Sequence, residues 1–314
     1  MSLLMKGRHL VSLDDFTTEE INEVFLMTDR LKLDHLARVP GQLRVLEGRS
    51  LAMIFEKPST RTRISFEVGI GQLGGFALYL SPKDLQIGRG ETIADTSRVI
   101  SRYCDGIMAR VFKHETVAEL AKYSTVPVIN GLSDLEHPCQ VLTDFYTVKE
   151  KLGTIEHRRM SYVGDGNNNM AHSLLIGAAK LGCNIKIVTP EGYDPKAEIF
   201  ERAKDLADKN GCEVSLERDP VKGVEDAHIV YTDVWTSMGQ EEENETRKKV
   251  FHPYQLNEEL MSHAPRKAIV MHCLPAHRGE EITDEVVDGP QSVVFDQAEN
   301  RMHVQKAIMA LMMR

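Results

Sequence analysis

Short apolar runs alternate with helical stretches along nearly the whole chain, and this alternation constrains the fold more than any other feature. Runs at 50–55, 76–80, 106–111 and 126–129 read as buried strands, with helical stretches near 61–73, 92–103 and 115–123 between them. A capping box, Thr17-x-x-Glu20, starts an opening helix. A long helix is expected from His137 to Gly153, with Pro138 in its first turn. The second half repeats the alternation, with strands at 160–163, 184–188, 213–216, 228–232, 268–272 and 292–295. Its helices fall at about 168–181, 195–209, 220–226 and 255–262, and Gly153, Gly182 and Gly211 stop helices as C′ residues do. Such alternation predicts the α/β class: two α/β domains, each with a mostly parallel sheet flanked by helices, bridged by long helices. The boundary is expected near 145–155, giving a first domain over 1–150 and a second over 151–296. Residues 297–314 form a Met-rich amphipathic helix packed back on the first domain. The acidic run Glu241–Glu245 reads as a solvated loop and helix start, with Glu243–Arg247 and Glu245–Lys249 at i,i+4 spacing.

Lys plus Arg number 38 against 47 Asp plus Glu, a net charge of −9 that argues against nucleic-acid or membrane-surface binding. No stretch approaches the roughly 18 apolar residues of a membrane span. The early acids Asp14, Asp15, Glu19 and Glu20 do not suit a transit peptide, and no secretory signal is expected. The cysteines Cys104, Cys139, Cys183, Cys212 and Cys273 are scattered without CxxC spacing, which suggests neither a disulfide framework nor a zinc site. A reduced, cytoplasmic protein is the expectation.

Parallel sheets bind ligands beyond the carboxyl ends of their strands, and polar groups stand at many of those ends here. Ser59-Thr60-Arg61-Thr62-Arg63 follows the first strand and opens a helix, so hydroxyls, guanidiniums and free amides gather where a phosphate binds well. The alternative is a Ser/Thr cap with solvated arginines. Arg110 ends an apolar strand, where a salt bridge is the competing reading. His137-Pro138-Cys139-Gln140 opens the long helix, and a His there donates to a carbonyl or phosphoryl oxygen unless it is a plain cap. Gly164-Asp165-Gly166-Asn167-Asn168-Asn169, Asp233 with Ser237-Met238-Gly239, and His272-Cys273-Leu274-Pro275 follow strands of the second half; Arg301 lies near the start of the last helix.

Other chemistries fit less well. Gly164-x-Gly166 lacks the third glycine of a dinucleotide fingerprint, and no acid ends the next strand. A metal at His272-Cys273 would lack close partner ligands. Those two as a nucleophile and base would point to opposite faces of a strand.

Phe55-Glu-Lys-Pro-Ser-Thr-Arg-Thr-Arg63, His137-Pro-Cys-Gln140, Asp233-Val-Trp-Thr-Ser-Met-Gly-Gln240 and His272-Cys-Leu-Pro275 together resemble the carbamoyltransferases, and within them the ornithine-using branch, over nearly the whole chain. The resemblance implies transfer of a carbamoyl group from carbamoyl phosphate to L-ornithine, giving citrulline and phosphate in arginine metabolism, with no metal or organic cofactor. It implies that Ser59, Thr60, Arg61, Thr62 and Arg110 hold the phosphate. His137, Pro138, Cys139, Gln140, Cys273, Leu274 and Arg301 would complete the carbamoyl phosphate site. Asn168, Asp233, Ser237 and Met238 would hold ornithine, with Arg110, His137, Asp233 and Cys273 catalytic. Gln86 would reach into a neighbouring subunit's site, in a homotrimer or multiple of trimers with shared active sites. Ordered binding is expected, carbamoyl phosphate first, with the Ser237–Gly239 loop as a lid. A carbamoyltransferase for another amine such as putrescine, and a non-catalytic trimeric relative, are the competing readings. Asp233 with Ser237-Met238 speaks against the first, and Arg61, Arg110 and Arg301 against the second.

Overall fold

The computed structural model describes residues 5–37, 44–81, 83, 85, 86, 90–236 and 243–314. The chain divides into two compact units, Met1–Thr143 with Glu299–Arg314, and Asp144–Ala298. The division falls inside the long helix rather than after it.

In the first unit the chain runs α1 (Thr18–Leu36), β1 (Ser50–Phe55), α2 (Thr60–Gln72), β2 (Phe76–Leu80), α3 (Ile93–Tyr103), β3 (Gly106–Arg110), α4 (His114–Tyr123), β4 (Val128–Leu132) and the start of α5 (Pro138–Leu152). The capping box forms as expected: Thr17 accepts from the Glu20 amide while Glu20 accepts from the Thr17 amide. All four strands pair in parallel in the order β2-β1-β3-β4. The chain leaves β1 toward β2 on one side and later places β3 on the other, so β1 and β3 flank the switch point where ligands bind. Phe55 and Arg110 are register partners there, which sets Arg110 beside the loop leading to Ser59. β4 begins at Val128, later than the expected 126, because Pro127 has no N–H to give the ladder.

In the second unit the order is β5 (Arg159–Val163), α6 (Asn169–Lys180), β6 (Asn184–Val188), α7 (Ala197–Asn210), β7 (Val214–Glu217), α8 (Pro220–Val224), β8 (Ile229–Thr232), α9 (Asn244–Phe251), α10 (Glu258–Ser262), β9 (Ile269–His272), α11 (Asp284–Val287) and the start of α12 (Val294–Met312). Its parallel sheet runs β7-β6-β5-β8-β9, with the switch point at β5 and β8. Val163, Val188, Val230 and Val270 centre a core beneath α8, α10 and α11.

Three expectations change. The run at 292–295 is not a strand: a single bridge joins Ser292 to Val270, and α12 begins at Val294, with the Gln297 amide already donating to the Val293 carbonyl. A four-residue apolar run carries no period that separates strand from helix start. The last helix is not amphipathic, because every residue from His303 to Met313 is buried. Its polar positions bond inward instead, as where Lys306 Nζ donates to Gln72 Oε1 at 2.8 Å. Gly69 lets the two helices approach; a Cβ there would lie 3.1 Å from Lys306 Cγ. Finally, Glu243–Arg247 form an i,i+4 pair at 3.8 Å, but Arg247 is buried rather than solvated.

A tight contact in the second unit gives a stability test. A Cβ on Gly223 of α8 would lie 2.6 Å from Val188 Cγ2 and 2.7 Å from Cγ1, against a β-branched side chain with little freedom to yield. Gly223→Ala is expected to cost about 1–3 kcal/mol in urea denaturation. Adding Val188→Ala to that variant should be less destabilising than Val188→Ala in the wild type.

Candidate functional site

The first unit gathers cations around one hydroxyl. Ser59 caps α2, its Oγ accepting from the Thr62 amide at 3.4 Å, so the helix begins with its amides turned toward the switch point. Thr62 is buried, and two guanidiniums reach its Oγ1: Arg110 Nη1 at 3.5 Å and Arg301 Nη2 at 3.2 Å. Arg301 Nη1 also donates to Gln140 Oε1 in a short bond. His137, just before α5, is buried, and its pKa is held well below the usual value by burial and then by Arg301, Arg110 and Arg61. It is therefore a neutral imidazole at physiological pH. Arg63 departs from the expected cluster. It pairs with Glu67 at 3.2 Å and lies 4.0 Å above the Tyr79 ring, because one residue along a helix turns its side chain about 100° away from the face that Thr62 and the cradle share.

The rest of the motif supports this geometry. Cys139 is fully buried, points its Sγ at the Asn130 carbonyl at 3.4 Å, and has its pKa pushed up to about 12 by burial, so it is an inert thiol. Gln86 is exposed, on a separate loop where its carbonyl accepts from the Glu91 amide at 3.4 Å.

The second unit gathers carboxylates. Asp233 follows β8 and is buried, and Cys273 Sγ donates to its Oδ1 at 3.0 Å. Burial raises the Asp233 pKa, while His272 and the Cys273 bond oppose the rise. Asn168 caps α6 through Oδ1, accepting from the Ala171 amide at 2.8 Å, and its Nδ2 donates to Tyr162 Oη at 2.7 Å. Ser237 and Met238, both expected to hold substrate, lie outside the described residues.

The His272–Leu274 turn is braced from behind. The Leu274 amide donates to His272 Nδ1 at 2.8 Å, so the ring proton sits on Nε2 and donates to Glu281 Oε1 at 3.0 Å. Leu274 takes a φ of 56°, which turns the chain sharply after β9. Because β9 ends at His272, strand alternation does not separate His272 from Cys273. The ligand atoms of Asp233, His272 and Cys273 all lie within 4.8 Å of one another, so the expectation that a metal there would lack close partners is corrected. Both His272 nitrogens are nevertheless committed, which leaves no free base for a cysteine nucleophile.

Sequence comparison gives the family of the chain. Residues 8–150 match the carbamoyl-P binding domain of aspartate/ornithine carbamoyltransferase, and residues 156–312 its Asp/Orn binding domain. The chain belongs to the aspartate/ornithine carbamoyltransferase family. It is 58% identical over 313 residues to an ornithine carbamoyltransferase of Thermococcus kodakarensis, covering 100% of this chain and 98% of the relative. An anabolic ornithine carbamoyltransferase of Pyrococcus furiosus is 56% identical with the same coverage. The solved ornithine carbamoyltransferase of P. furiosus superposes with a TM-score of 0.95 over 98% of both chains, and that of Gloeobacter violaceus, 44% identical, with 0.87 over 98% of this chain and 99% of that one.

Several residues of this carbamoyltransferase that support the two sites escaped sequence reading. Glu281 sits in a polar stretch that reads as loop, and Arg247 in a charge run that reads as a solvated face. Glu136 reads as an ordinary neighbour of His137. Yet it is buried, its Oε2 accepts from the Leu13 amide at 3.0 Å, and its pKa is raised to about 7 by burial, with Asp15 and Asp14 adding to the effect of burial and the Ser12 and Leu13 hydrogen bonds opposing it.

That raised value fixes a pH dependence. The folded chain keeps the Glu136 proton up to about 7, whereas the unfolded chain releases it near 4.5. The cost of burying the charge is therefore full above pH 7 and is relieved as pH falls toward 4.5, by at most about 3 kcal/mol. Glu136→Gln should raise stability relative to the wild type more at pH 8 than at pH 5, read from denaturant midpoints at both values.

Proposed function

We propose that this chain is an ornithine carbamoyltransferase, moving the carbamoyl group of carbamoyl phosphate to the side-chain amine of L-ornithine to form L-citrulline and phosphate. The observation that carries the reading is the pairing of opposite polarities. One unit converges Arg110 and Arg301 on Thr62, and the other presents the Asp233 carboxylate with the Cys273 thiol against it. The first suits an oxyanion of double charge, the second a substrate bearing ammonium groups. An aspartate substrate would bring a second carboxylate to Asp233 and be repelled.

Phosphate is held by the α2 amides, Ser59, Thr60, Arg61, Thr62 and Arg110, while His137, Gln140 and Arg301 hold the carbamoyl end. Pro138 and Cys139 set the helix start, and the carbonyls of Cys273 and Leu274 would accept from the carbamoyl amide. The ornithine side-chain amine titrates like Lys, near 10.4, so freeing its lone pair at pH 7 costs roughly 4–5 kcal/mol. Asp233 and Asn168 orient the α end, with Ser237 and Met238, and the thiol–carboxylate pair of Cys273 and Asp233 takes the proton that nitrogen sheds. The lone pair attacks the carbamoyl carbon. Charge on its oxygen meets the neutral His137, Arg110 and Thr62, and the bond to phosphate breaks into the cationic cradle.

A trimer with shared sites belongs to the same proposal. The exposed apolar residues Ile64 and Val68 on α2, Phe76 and Leu78 on edge strand β2, and Tyr103 support an interface on the first unit, from which Gln86 would reach a neighbour's site. Among the described residues no helix is long and apolar enough to cross a membrane, and the proposed setting is the cytoplasm.

Mixing the purified chain with carbamoyl phosphate and, in turn, ornithine, putrescine and aspartate tests the reaction. Citrulline and phosphate in equal amounts with ornithine alone is the expected outcome; carbamoylated aspartate or no product would overturn it. Arg110→Gln should lower kcat/KM for carbamoyl phosphate by roughly a hundredfold or more, the loss typical of one donor to a developing oxyanion.

A further inference from the structure

We propose that Arg247 is a positioning residue for the amino-acid half of the site, holding the β5 and β8 loops together and neutralising Asp165 so that Asp233 alone faces the substrate's α-ammonium. The inference rests on the ornithine reading above and deepens it.

The two loops that flank the second switch point already lie close. A Cβ on Gly164 would stand 3.7 Å from Thr232 Oγ1, 3.8 Å from the Asp233 carbonyl and 3.9 Å from Trp235 Cδ1. Arg247, on α9, ties them. Its Nη2 donates to Asp165 Oδ2 in a short bond, and its Nε donates to the Trp235 carbonyl at 2.9 Å. The pair is almost fully enclosed, with 3% of the Arg247 side chain and 1% of the Asp165 side chain exposed. Tyr193 and Phe251 rings lie 5.0 and 5.6 Å from the guanidinium carbon and keep it from swinging out. On the other side, Asp165 Oδ1 accepts from the Asn167 amide at 2.9 Å, one residue before the Asn168 cap.

Charge gives the device its consequence for specificity. Asp165 and Asp233 are both buried; burial and then the Asp233 charge raise the proton affinity of Asp165, and Arg247, by charge and hydrogen bond, opposes that rise. Without it, the half-site carries either two negative groups or a protonated Asp165 with its loop released. In both cases the α end of ornithine loses its fixed partner geometry, while the phosphate cradle, built from other residues, is untouched. Arginine is required because one planar fork serves a carboxylate and a carbonyl together, which a lysine ammonium at the end of a flexible stem cannot do in this geometry.

The test compares Arg247→Gln, Arg247→Lys and the Asp165→Asn/Arg247→Gln pair by steady-state kinetics and by calorimetry, in saturating carbamoyl phosphate, with L-norvaline, which has ornithine's α end without its side-chain amine. Arg247→Gln is expected to raise KM for ornithine and Kd for norvaline at least tenfold, with KM for carbamoyl phosphate within twofold of the wild type. Arg247→Lys should fall between, and the double variant should recover most of the loss because no uncompensated carboxylate remains. A parallel rise in both KM values, a fall in kcat alone, or a double variant no better than Arg247→Gln would overturn the proposal. Should Arg247→Gln fail to fold, the Lys variant and the double variant carry the same comparison. Absence of citrulline with the wild type would overturn the reaction instead, and the norvaline comparison would still decide the role of Arg247.

Discussion

Two guanidiniums bonded to one buried threonine hydroxyl form the constraint on which the first unit depends. Arg110 and Arg301 repel each other at that distance, and a low-dielectric surround magnifies the repulsion. The fold bears this because each is delivered by a rigid element, Arg110 by the end of β3 and Arg301 by α12. A sheet of buried strands and a helix enclosed along its last three turns cannot relax to separate them. In the proposed reading, an anion bound there would offset that repulsion, so the rigid scaffold would favour phosphate.

The same field explains His137. A histidine among three arginines stays neutral, and in the proposed reaction it would meet the carbonyl oxygen as a hydrogen-bond donor and not as an acid. Neutrality spares the pocket a further cation beside Arg61, Arg110 and Arg301, all of which disfavour the imidazolium. Glu136, one residue before, is pulled the opposite way by burial and by Asp14 and Asp15. Adjacent positions on one chain thus keep opposite protonation preferences. Their side chains leave the helix start in different directions, one toward the arginines and one toward the Leu13 amide.

Much of this was legible in the sequence, for identifiable reasons. Strands β1 and β2 are almost wholly apolar runs and β6 alternates Ile185 and Ile187 with polar residues, and the limits of all three match the expectation residue for residue. Ser59, Arg110, Asn168 and Asp233 lie at or just beyond strand ends, where a parallel sheet must place its ligand groups. What escaped was long-range. Nothing local distinguishes Arg247, in a run of glutamates and lysines, from a solvated charge; only its burial against Asp165, 82 positions earlier, reveals it. Arg63 failed in the other direction, being counted with the cradle until its place on α2 turned it toward Glu67. The 292–295 run was ambiguous because a four-residue apolar stretch is too short to show a period.

The second unit solves the converse electrostatic problem with the same architecture. In the proposed reading it would keep carboxylates ionised in a buried site so that ammonium groups bind, and burial works against that by raising their proton affinity. Asp165 is met by a full charge, Arg247, whereas Asp233 is met by the neighbouring His272, a thiol proton at 3.0 Å and the Val234 amide. On the proposals above, that difference in partner strength would separate a carboxylate that braces the loops from one left available to a ligand. A full ion pair at Asp233 would have satisfied the residue and closed the site. In the proposed reading, the weak donor from Cys273 would hold the carboxylate in place while leaving most of its charge to the substrate.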